Sequence, residues 1–187
     1  MPALHRLLAA RRSPRAFDPQ RELSAQHIDN LLEAARWAPS SKNSQPWRFI
    51  VGRRGSRNFK AVFDTLHPHN QRWAHAAGLL VVGAYTTHAE DGSPLSHGMY
   101  DLGQATAHLS FQAAAEGLWA HQMGGFDPAL LRAEFALAET IVPAVTIAVG
   151  HLGDLEELPD DLRKRESAPR TRLAVDQLLI GDRTQTD

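Results

Sequence analysis

The sequence APSSKNSQPW at residues 38–47 runs directly into the apolar stretch RFIVG at 48–52. Two prolines bracket the small polar residues, and each proline fixes its own φ and restrains the residue before it. The apolar residues that follow are typical of a β-strand. The stretch therefore predicts a rigid polar loop that leads into a strand and presents hydrogen-bonding side chains to a ligand.

A second dense segment, RRSPRAF, lies upstream at residues 11–17. Leu4, Leu7 and Leu8 recur at helical spacing before it, and Pro14 disfavours helix at the residue that precedes it. Three guanidinium groups and one hydroxyl thus gather where the first helix should end. Together with the polar loop, this segment predicts a site for an anionic, heteroaromatic ligand.

Hydrophobic periodicity and end signals divide the rest of the chain into helices and strands. Ser24 is a suitable N-cap for a helix that Pro39 ends, and Asp127 is suitable for a helix that begins at Pro128. The other predicted elements are helices at 55–66 and 100–120, a break at 67–70, and strands at 47–51, 76–85 and 144–150. The sequence contains no internal repeat or linker, so residues 1–187 are expected to form a single domain.

The composition is that of an ordinary globular protein, since 43% of the 187 residues are hydrophobic and 22% are charged. The formal net charge of -1 gives no general attraction to nucleic acid or to an anionic membrane. The absence of cysteine excludes disulfides, iron–sulfur clusters and thiol chemistry. No secretory leader or membrane-spanning stretch is recognisable, so we expect a cytoplasmic protein that binds neither nucleic acid nor membrane.

Common catalytic motifs are missing from the sequence. It contains no phosphate-binding loop, dinucleotide-binding glycine motif, nucleophile elbow or HExxH zinc motif. Ten histidines are present, but no carboxylates accompany them at ligand spacing, so we predict no metal site. No serine, histidine and acid can be singled out as a catalytic triad.

Arginine gives the stronger indication, because its planar guanidinium makes charge-assisted hydrogen bonds to phosphate. Arg11, Arg12 and Arg15 form one cluster. Arg170 and Arg172 form another, in which alternation along an extended segment directs both side chains to the same side. These residues predict an anion site, although, on the residues alone, two solvated charge runs are an equally good interpretation.

Two sequence patterns resemble the flavin-dependent nitroreductase family. One is Arg-Arg-Ser-x-Arg-x-Phe at 11–17, and the other is Ala-x-x-Ala-Pro-Ser-Ser-x-Asn-x-Gln-Pro-Trp-x-Phe at 35–49. Shorter elements agree in order along the chain: NQRW at 70–73, YDLGQ at 100–104 and MGGFD at 123–127. The resemblance therefore extends over nearly the whole sequence.

The resemblance implies an α+β fold with three layers, in which helices flank a central, mostly antiparallel sheet and a long central helix lies at a dimer interface. It also implies a homodimer with FMN at the subunit interface and NADPH or NADH as the hydride donor. The expected activity is ping-pong hydride transfer to a nitroaromatic, a quinone or a similar oxidised small molecule. No catalytic side chain is implied, since the flavin carries the chemistry.

The resemblance also assigns cofactor-binding residues. One subunit would bind FMN through its two arginine clusters, with Arg15 at the pyrimidine edge of the flavin; these residues are Arg11, Arg12, Ser13, Arg15, Arg170 and Arg172. The other subunit would supply the polar-loop residues Pro39, Ser40, Ser41 and Asn43. Further flavin contacts would come from Asn70 and from the backbone at Met123, Gly124 and Gly125. His67 and His69 would lie at the rim of the substrate pocket, or would be plain surface residues.

Other activities remain open at this stage. Proteins that resemble this family also catalyse dehalogenation, dehydrogenation or flavin cleavage, and a non-catalytic FMN-binding dimer is a further alternative. Family members often extend a longer C-terminal arm around the partner subunit. Here only the apolar segment 173–180 follows Arg172 at a position suited to such docking.

Overall fold

Four strands pair into one antiparallel sheet in the computed structural model, which describes residues 4–180. The strands lie in the order β1-β2-β4-β3 across the sheet. Their bounds are β1 (Trp47–Arg53), β2 (Leu79–Thr86), β3 (Trp119–Met123) and β4 (Ile141–Gly150). The strand predicted at 76–85 is confirmed as β2, which lies inside the sheet and is buried from Leu79 to Ala84.

Seven α-helices accompany the sheet within residues 4–180. They are α1 (Arg6–Ala10), α2 (Ala25–Arg36), α3 (Arg57–Thr65), α4 (Pro68–Ala74), α5 (Gly98–Ala115), α6 (Pro128–Glu134) and α7 (Asp160–Glu166). Both predicted N-caps are confirmed. Ser24 Oγ accepts the backbone N–H of His27, and Asp127 Oδ1 accepts that of Leu130. None of the described helices has the length and apolar character needed to cross a membrane.

Each face of the sheet is covered by its own apolar cluster. On one face, α2 and α5 pack through side chains that include Leu31, Leu102 and Leu109. On the other face, residues of α3, α4, α6 and α7 pack around Trp73 and Val62. The predicted three-layer α+β fold, with a central antiparallel sheet between helices, is therefore confirmed.

The predicted helix at 100–120 is too long, because α5 ends at Ala115 and a strand follows. Gly117 adopts a positive φ of 71°, and Leu118 N donates to Ala113 O at 2.8 Å, which is the pattern of a Schellman C-cap. The chain then reverses direction and β3 pairs with β4 at the sheet edge. Alanine-rich sequence conceals this end, since alanine continues a helical pattern without marking where it stops.

The predicted break after the helix at 55–66 is confirmed, since α3 ends at Thr65 and His67 is extended, but the sequence prediction missed α4, which begins at Pro68. His67 occupies the N-cap and Pro68 the first helical turn, where the missing N–H of proline costs no hydrogen bond. The sequence prediction also missed helix α7, which lies in the charged sequence after Asp154. It has aspartates in its first turn and basic residues in its last, an arrangement that suits the helix dipole.

Candidate functional site

The two predicted arginine clusters come together in one pocket of about 240 Å³. This arginine pocket lies between the segment after α1 and the chain that follows α7. Its lining residues are Arg12, Ser13, Arg15, Arg165, Glu166, Ala168, Pro169, Arg170 and Arg172. Residues 150 or more positions apart in the sequence thus share one cationic cavity, as the resemblance implied for a phosphate site.

Arg11 stands beside this pocket. It donates a hydrogen bond from Nη1 to Ser13 Oγ at 3.2 Å. Burial lowers the pKa of Arg11, and the neighbouring charges of Arg170 and Arg172 lower it further. Positive charges are therefore crowded at this point, and a bound anion would relieve their mutual repulsion.

Glu166 is the acidic residue in the described lining of the pocket, and sequence reasoning missed it. Its side chain is only 4% exposed. Oε2 accepts from the backbone N of Arg15 at 3.2 Å and lies 3.4 Å from Arg15 Nη1, while Oε1 lies 3.7 Å from Arg12 Nη2. The backbone oxygen of Glu166 accepts from the same Arg12 nitrogen at 2.5 Å. The spacing of Leu162 and Glu166, four residues apart on the buried face of α7, is the signal that could have revealed it.

His121 supports the pocket from within the protein. It lies on β3, where its Nδ1–H donates to Pro14 O at 2.9 Å. Its ring centroid is 4.5 Å from that of Trp73. Burial lowers the pKa of His121 to about 4 despite the hydrogen bond to Pro14, and the charge of Arg15 acts in the same direction as burial. At neutral pH this imidazole is uncharged and anchors the backbone between the pocket arginines.

The structure also brings together the predicted residues of 67–70 and 123–125. Asn70 Nδ2 and the backbone N of His67 both donate to Gly125 O, each at 3.0 Å. A Cβ on Gly125 would lie 2.9 Å from Asn70 Nδ2 and equally close to the His69 ring, so this position requires glycine or a shift of its neighbours. Beside it, a Cβ on Gly124 would meet nothing within 4 Å. We call this group the glycine cluster.

The glycine cluster and the arginine pocket are joined through buried contacts. Trp73, on the same helix as Asn70, packs against His121, which in turn holds Pro14. Met123, which ends β3, is buried, and its backbone oxygen accepts from Thr146 Oγ1 at 3.3 Å. His67 and His69 have ring centroids 6.0 Å apart. Among residues 4–180, no three histidine, aspartate or glutamate side chains group closely enough to hold a metal ion.

The polar loop, residues 39–46, is held by the first turn of α5. Asp101 is 3% exposed, and its Oδ2 accepts the backbone N–H of Ser41 at 3.1 Å. Ser40 Oγ accepts the backbone N–H of Gln45 at 3.0 Å. Three residues that are not glycine adopt positive φ here: Lys42, Asn43 and Gln45. Such backbone strain is found at functional sites, where the surrounding structure maintains it.

The polar loop does not meet the arginine pocket within one chain. It lines a separate cavity of about 280 Å³ together with residues 93–97 and Asp101, and the two cavities share no lining residue. The loop leads into β1 at one edge of the sheet, whereas Pro14 contacts β3 at the other edge. These edges are three strand spacings apart, roughly 14 Å.

Comparison with known proteins agrees with this architecture. The family model described as the nitroreductase family matches residues 8–58, which include the first arginine cluster and the polar loop. An uncharacterized 15.4 kDa protein of Mycolicibacterium smegmatis is 34% identical over 143 residues, covering 73% of this chain and 96% of that protein. The oxygen-insensitive NAD(P)H nitroreductase of Salmonella typhimurium is 27% identical over 184 residues, covering 75% of this chain and 85% of that protein.

A solved structure gives the same result. The crystal structure of an oxidoreductase containing FMN superposes with a TM-score of 0.91 at 31% identity, over 100% of this chain and 95% of that one. The fold and these relatives together place the chain in the oxidoreductase class. The chain belongs to the nitroreductase family.

Proposed function

We propose that this protein is an FMN-dependent oxidoreductase that uses NADPH or NADH as its hydride donor. The observation that carries the proposal is the arginine pocket, which gathers residues of both predicted arginine clusters and is linked to the glycine cluster through Pro14, His121 and Trp73. The FMN of a solved relative and the NAD(P)H named for the Salmonella relative support the same cofactor and donor here.

The residues present fit such a cofactor. A phosphate group carries close to two negative charges, and the arginine pocket offers several guanidinium groups with one hydroxyl at Ser13. Gly124 leaves open space beside its backbone, so a planar ring system could approach the main chain there. The arginine pocket thus suits the phosphate end of FMN, and the glycine cluster suits its planar ring end.

When bound, FMN supplies the ability to accept a hydride and pass it on. The chain's own residues bind and orient it. Arg170 and Arg172 would neutralise its phosphate, and Arg15 would supply positive charge to its ring. The backbone at Met123, Gly124 and Gly125, together with Asn70, would border the ring on one side.

We further propose that the complete site needs two copies of the chain. The polar loop lies at the sheet edge opposite the arginine pocket, so a loop from a second copy would complete a site that one chain leaves half built. Exposed apolar residues on α5, Met99 and Tyr100, and those of segment 173–180 are surfaces that such a dimer would cover. Asn43, Ser40 and Ser41 would then contact the partner's cofactor.

The donor and the acceptor would use the same pocket in turn, which is ping-pong kinetics. A nitroaromatic, a quinone or a similar planar oxidised molecule is the expected acceptor, because a flat ring stacks over a flat cofactor. Initial rates measured over a grid of NADPH and quinone concentrations would give parallel double-reciprocal lines. Intersecting lines would rule out this order of binding.

The cofactor proposal is tested with the purified protein. We expect a yellow protein with about one FMN per chain, and rapid bleaching of its visible absorbance on anaerobic addition of NADPH or NADH. A colourless protein that does not bind added FMN would overturn the proposal. A yellow protein that neither nucleotide bleaches would indicate an FMN-binding protein without this activity.

The shared site is tested by mixing subunits. One variant lacks pocket charge (Arg170→Ala with Arg172→Ala), and the other fills the loop surface (Ser40→Trp). Each alone should lose FMN, whereas a mixed dimer has one intact site of two and should recover FMN at about half the wild-type content. No recovery in verified mixed dimers would mean that both groups serve the same chain's site.

A further inference from the structure

Glu166 occupies an unusual place for an acidic residue, because it lies inside a pocket proposed to bind an anion. Its carboxylate is buried and faces Arg12 and Arg15. By charge alone, this carboxylate should repel a phosphate group and weaken its binding. Because Glu166 should weaken anion binding by its charge, we look for another role in its contacts.

The contacts of Glu166 indicate what that role is. Oε2 accepts the backbone N–H of Arg15 at 3.2 Å and contacts its guanidinium at 3.4 Å, so one oxygen fixes both the main chain and the side chain of that residue. Arg12 is held twice, by Oε1 at 3.7 Å and by the backbone oxygen at 2.5 Å. The segment from Arg12 to Arg15 contains Pro14 and belongs to no helix, so it has few internal hydrogen bonds to define its shape.

Two other pocket arginines, Arg170 and Arg172, are held differently. Arg170 Nη1 donates to Ala9 O at 2.7 Å and Arg172 Nη1 donates to Thr171 O at 2.6 Å, both backbone oxygens. Neither contact compensates a full charge, so these two guanidinium groups keep their capacity for an incoming anion. Of the five arginines that line the pocket, Arg12 and Arg15 are fixed by Glu166, whereas Arg170 and Arg172 keep their charge for a ligand.

We propose that Glu166 is a positioning residue that fixes Arg12 in the geometry needed to recognise the phosphate of FMN and Arg15 in the geometry needed to contact its ring. The inference rests on the proposed function and adds a determinant of selectivity for FMN over riboflavin, which lacks the phosphate. Glu166 touches neither ligand in this role and acts through the two arginines and the backbone of Arg15.

The test is the direction of change in Glu166→Gln. Flavin-free wild type and variant are titrated with FMN and with riboflavin, and quenching of flavin fluorescence gives each Kd. Positioning predicts that Kd for FMN rises about tenfold in the variant, and that the ratio of the riboflavin Kd to the FMN Kd falls about fivefold. A purely electrostatic role predicts the opposite, namely tighter FMN binding once the negative charge is removed.

Two further variants make the result decisive. Glu166→Asp keeps the charge but withdraws it by one methylene, so positioning predicts weaker FMN binding than in wild type. Glu157→Gln removes an exposed carboxylate outside the pocket and should leave both Kd values unchanged. Circular dichroism and urea unfolding without flavin establish that each variant is folded; if Glu166→Gln does not fold, Glu166→Asp carries the test.

Three results would overturn the inference: FMN binding that is unchanged or tighter in Glu166→Gln, equal weakening of both flavins, and wild-type affinity in Glu166→Asp. Equal weakening would show a structural role only. Failure of the wild-type protein to bind FMN is a separate result, because it would overturn the proposed function itself.

Discussion

The arginine pocket and the polar loop are each held in shape by a buried carboxylate of their own, Glu166 and Asp101. The two carboxylates bind different kinds of group. Glu166 contacts two guanidinium groups and a backbone amide that are 151 or more residues away in the sequence. Asp101 accepts one hydrogen bond from the backbone of Ser41. The pocket should therefore respond mainly to changes of charge, whereas the loop should respond mainly to changes of backbone shape.

The largest effect is expected from removing pocket charge. Arg170→Ala combined with Arg172→Ala should raise the Kd for FMN about 100-fold, since hydrogen bonds between charged groups are lost. Ser41→Ala in the polar loop removes only a neutral hydroxyl and should raise it about fivefold. Flavin titration at constant ionic strength measures both values. Arg57→Ala, a change at a 90% exposed side chain outside the pocket, is the matched control.

If the pocket and loop variants raised the Kd for FMN by similar factors, the pocket would not depend on charge more than the loop does. The same would follow if Arg57→Ala weakened FMN binding as strongly as the pocket variant, because the effect would then reflect net charge of the protein and not the pocket.

The next effect concerns pH and the backbone of the arginine pocket. The pKa of His121 in the folded protein, about 4, lies below its ordinary value of 6.5, so the unfolded chain binds the proton more strongly. The folded state therefore gains stability from keeping His121 neutral. This gain is fully present above pH 6.5 and is lost as the pH falls toward 4. Between pH 7 and pH 5, His121 alone should lower the free energy of unfolding by about 2 kcal/mol.

Urea unfolding at the two pH values measures this change, and His121→Gln supplies the control. Glutamine keeps an N–H for Pro14 but does not titrate, so the variant should lack this part of the pH dependence. His151 also has a pKa lowered mainly by burial, and it contributes equally to both proteins. An identical pH dependence in wild type and variant would show that His121 is not held neutral.

A smaller effect is expected at the loop's own carboxylate. Asp101→Leu removes the acceptor for Ser41 N–H and should lower the free energy of unfolding by about 1.5 kcal/mol, because Ser41 is exposed and water replaces part of the bond. Asp101→Asn retains an acceptor oxygen and should cost less. If the leucine variant bound FMN as tightly as wild type, the strained loop would not need Asp101 for its shape.

The two regions also differ in how far the sequence alone revealed them. The arginines and the small polar loop residues stand out because their side chains suit a ligand, and Ser24 and Asp127 mark helix starts through local rules. Glu166 and Asp101 stand out less, since their partners come from remote segments, and the helical spacing of Glu166 with Leu162 indicates burial without showing which groups it contacts. The end of α5 was mispredicted and α4 was not predicted at all, because alanine and proline are compatible with more than one local structure.

The smallest effect is expected where an ion pair joins the helix of Glu166 to the glycine cluster. Arg72 on α4 makes two hydrogen bonds to Asp161 on α7, at 2.8 and 2.6 Å. The pair raises the pKa of Arg72 and lowers that of Asp161 through these bonds, but both side chains are exposed, and water and salt screen their attraction. Arg72→Ala should therefore change the Kd for FMN by less than about twofold, at low and at high salt. A larger loss confined to low salt would mean that this exposed pair helps to place α7, and that the geometry of the arginine pocket depends on surface charges as well as on buried Glu166.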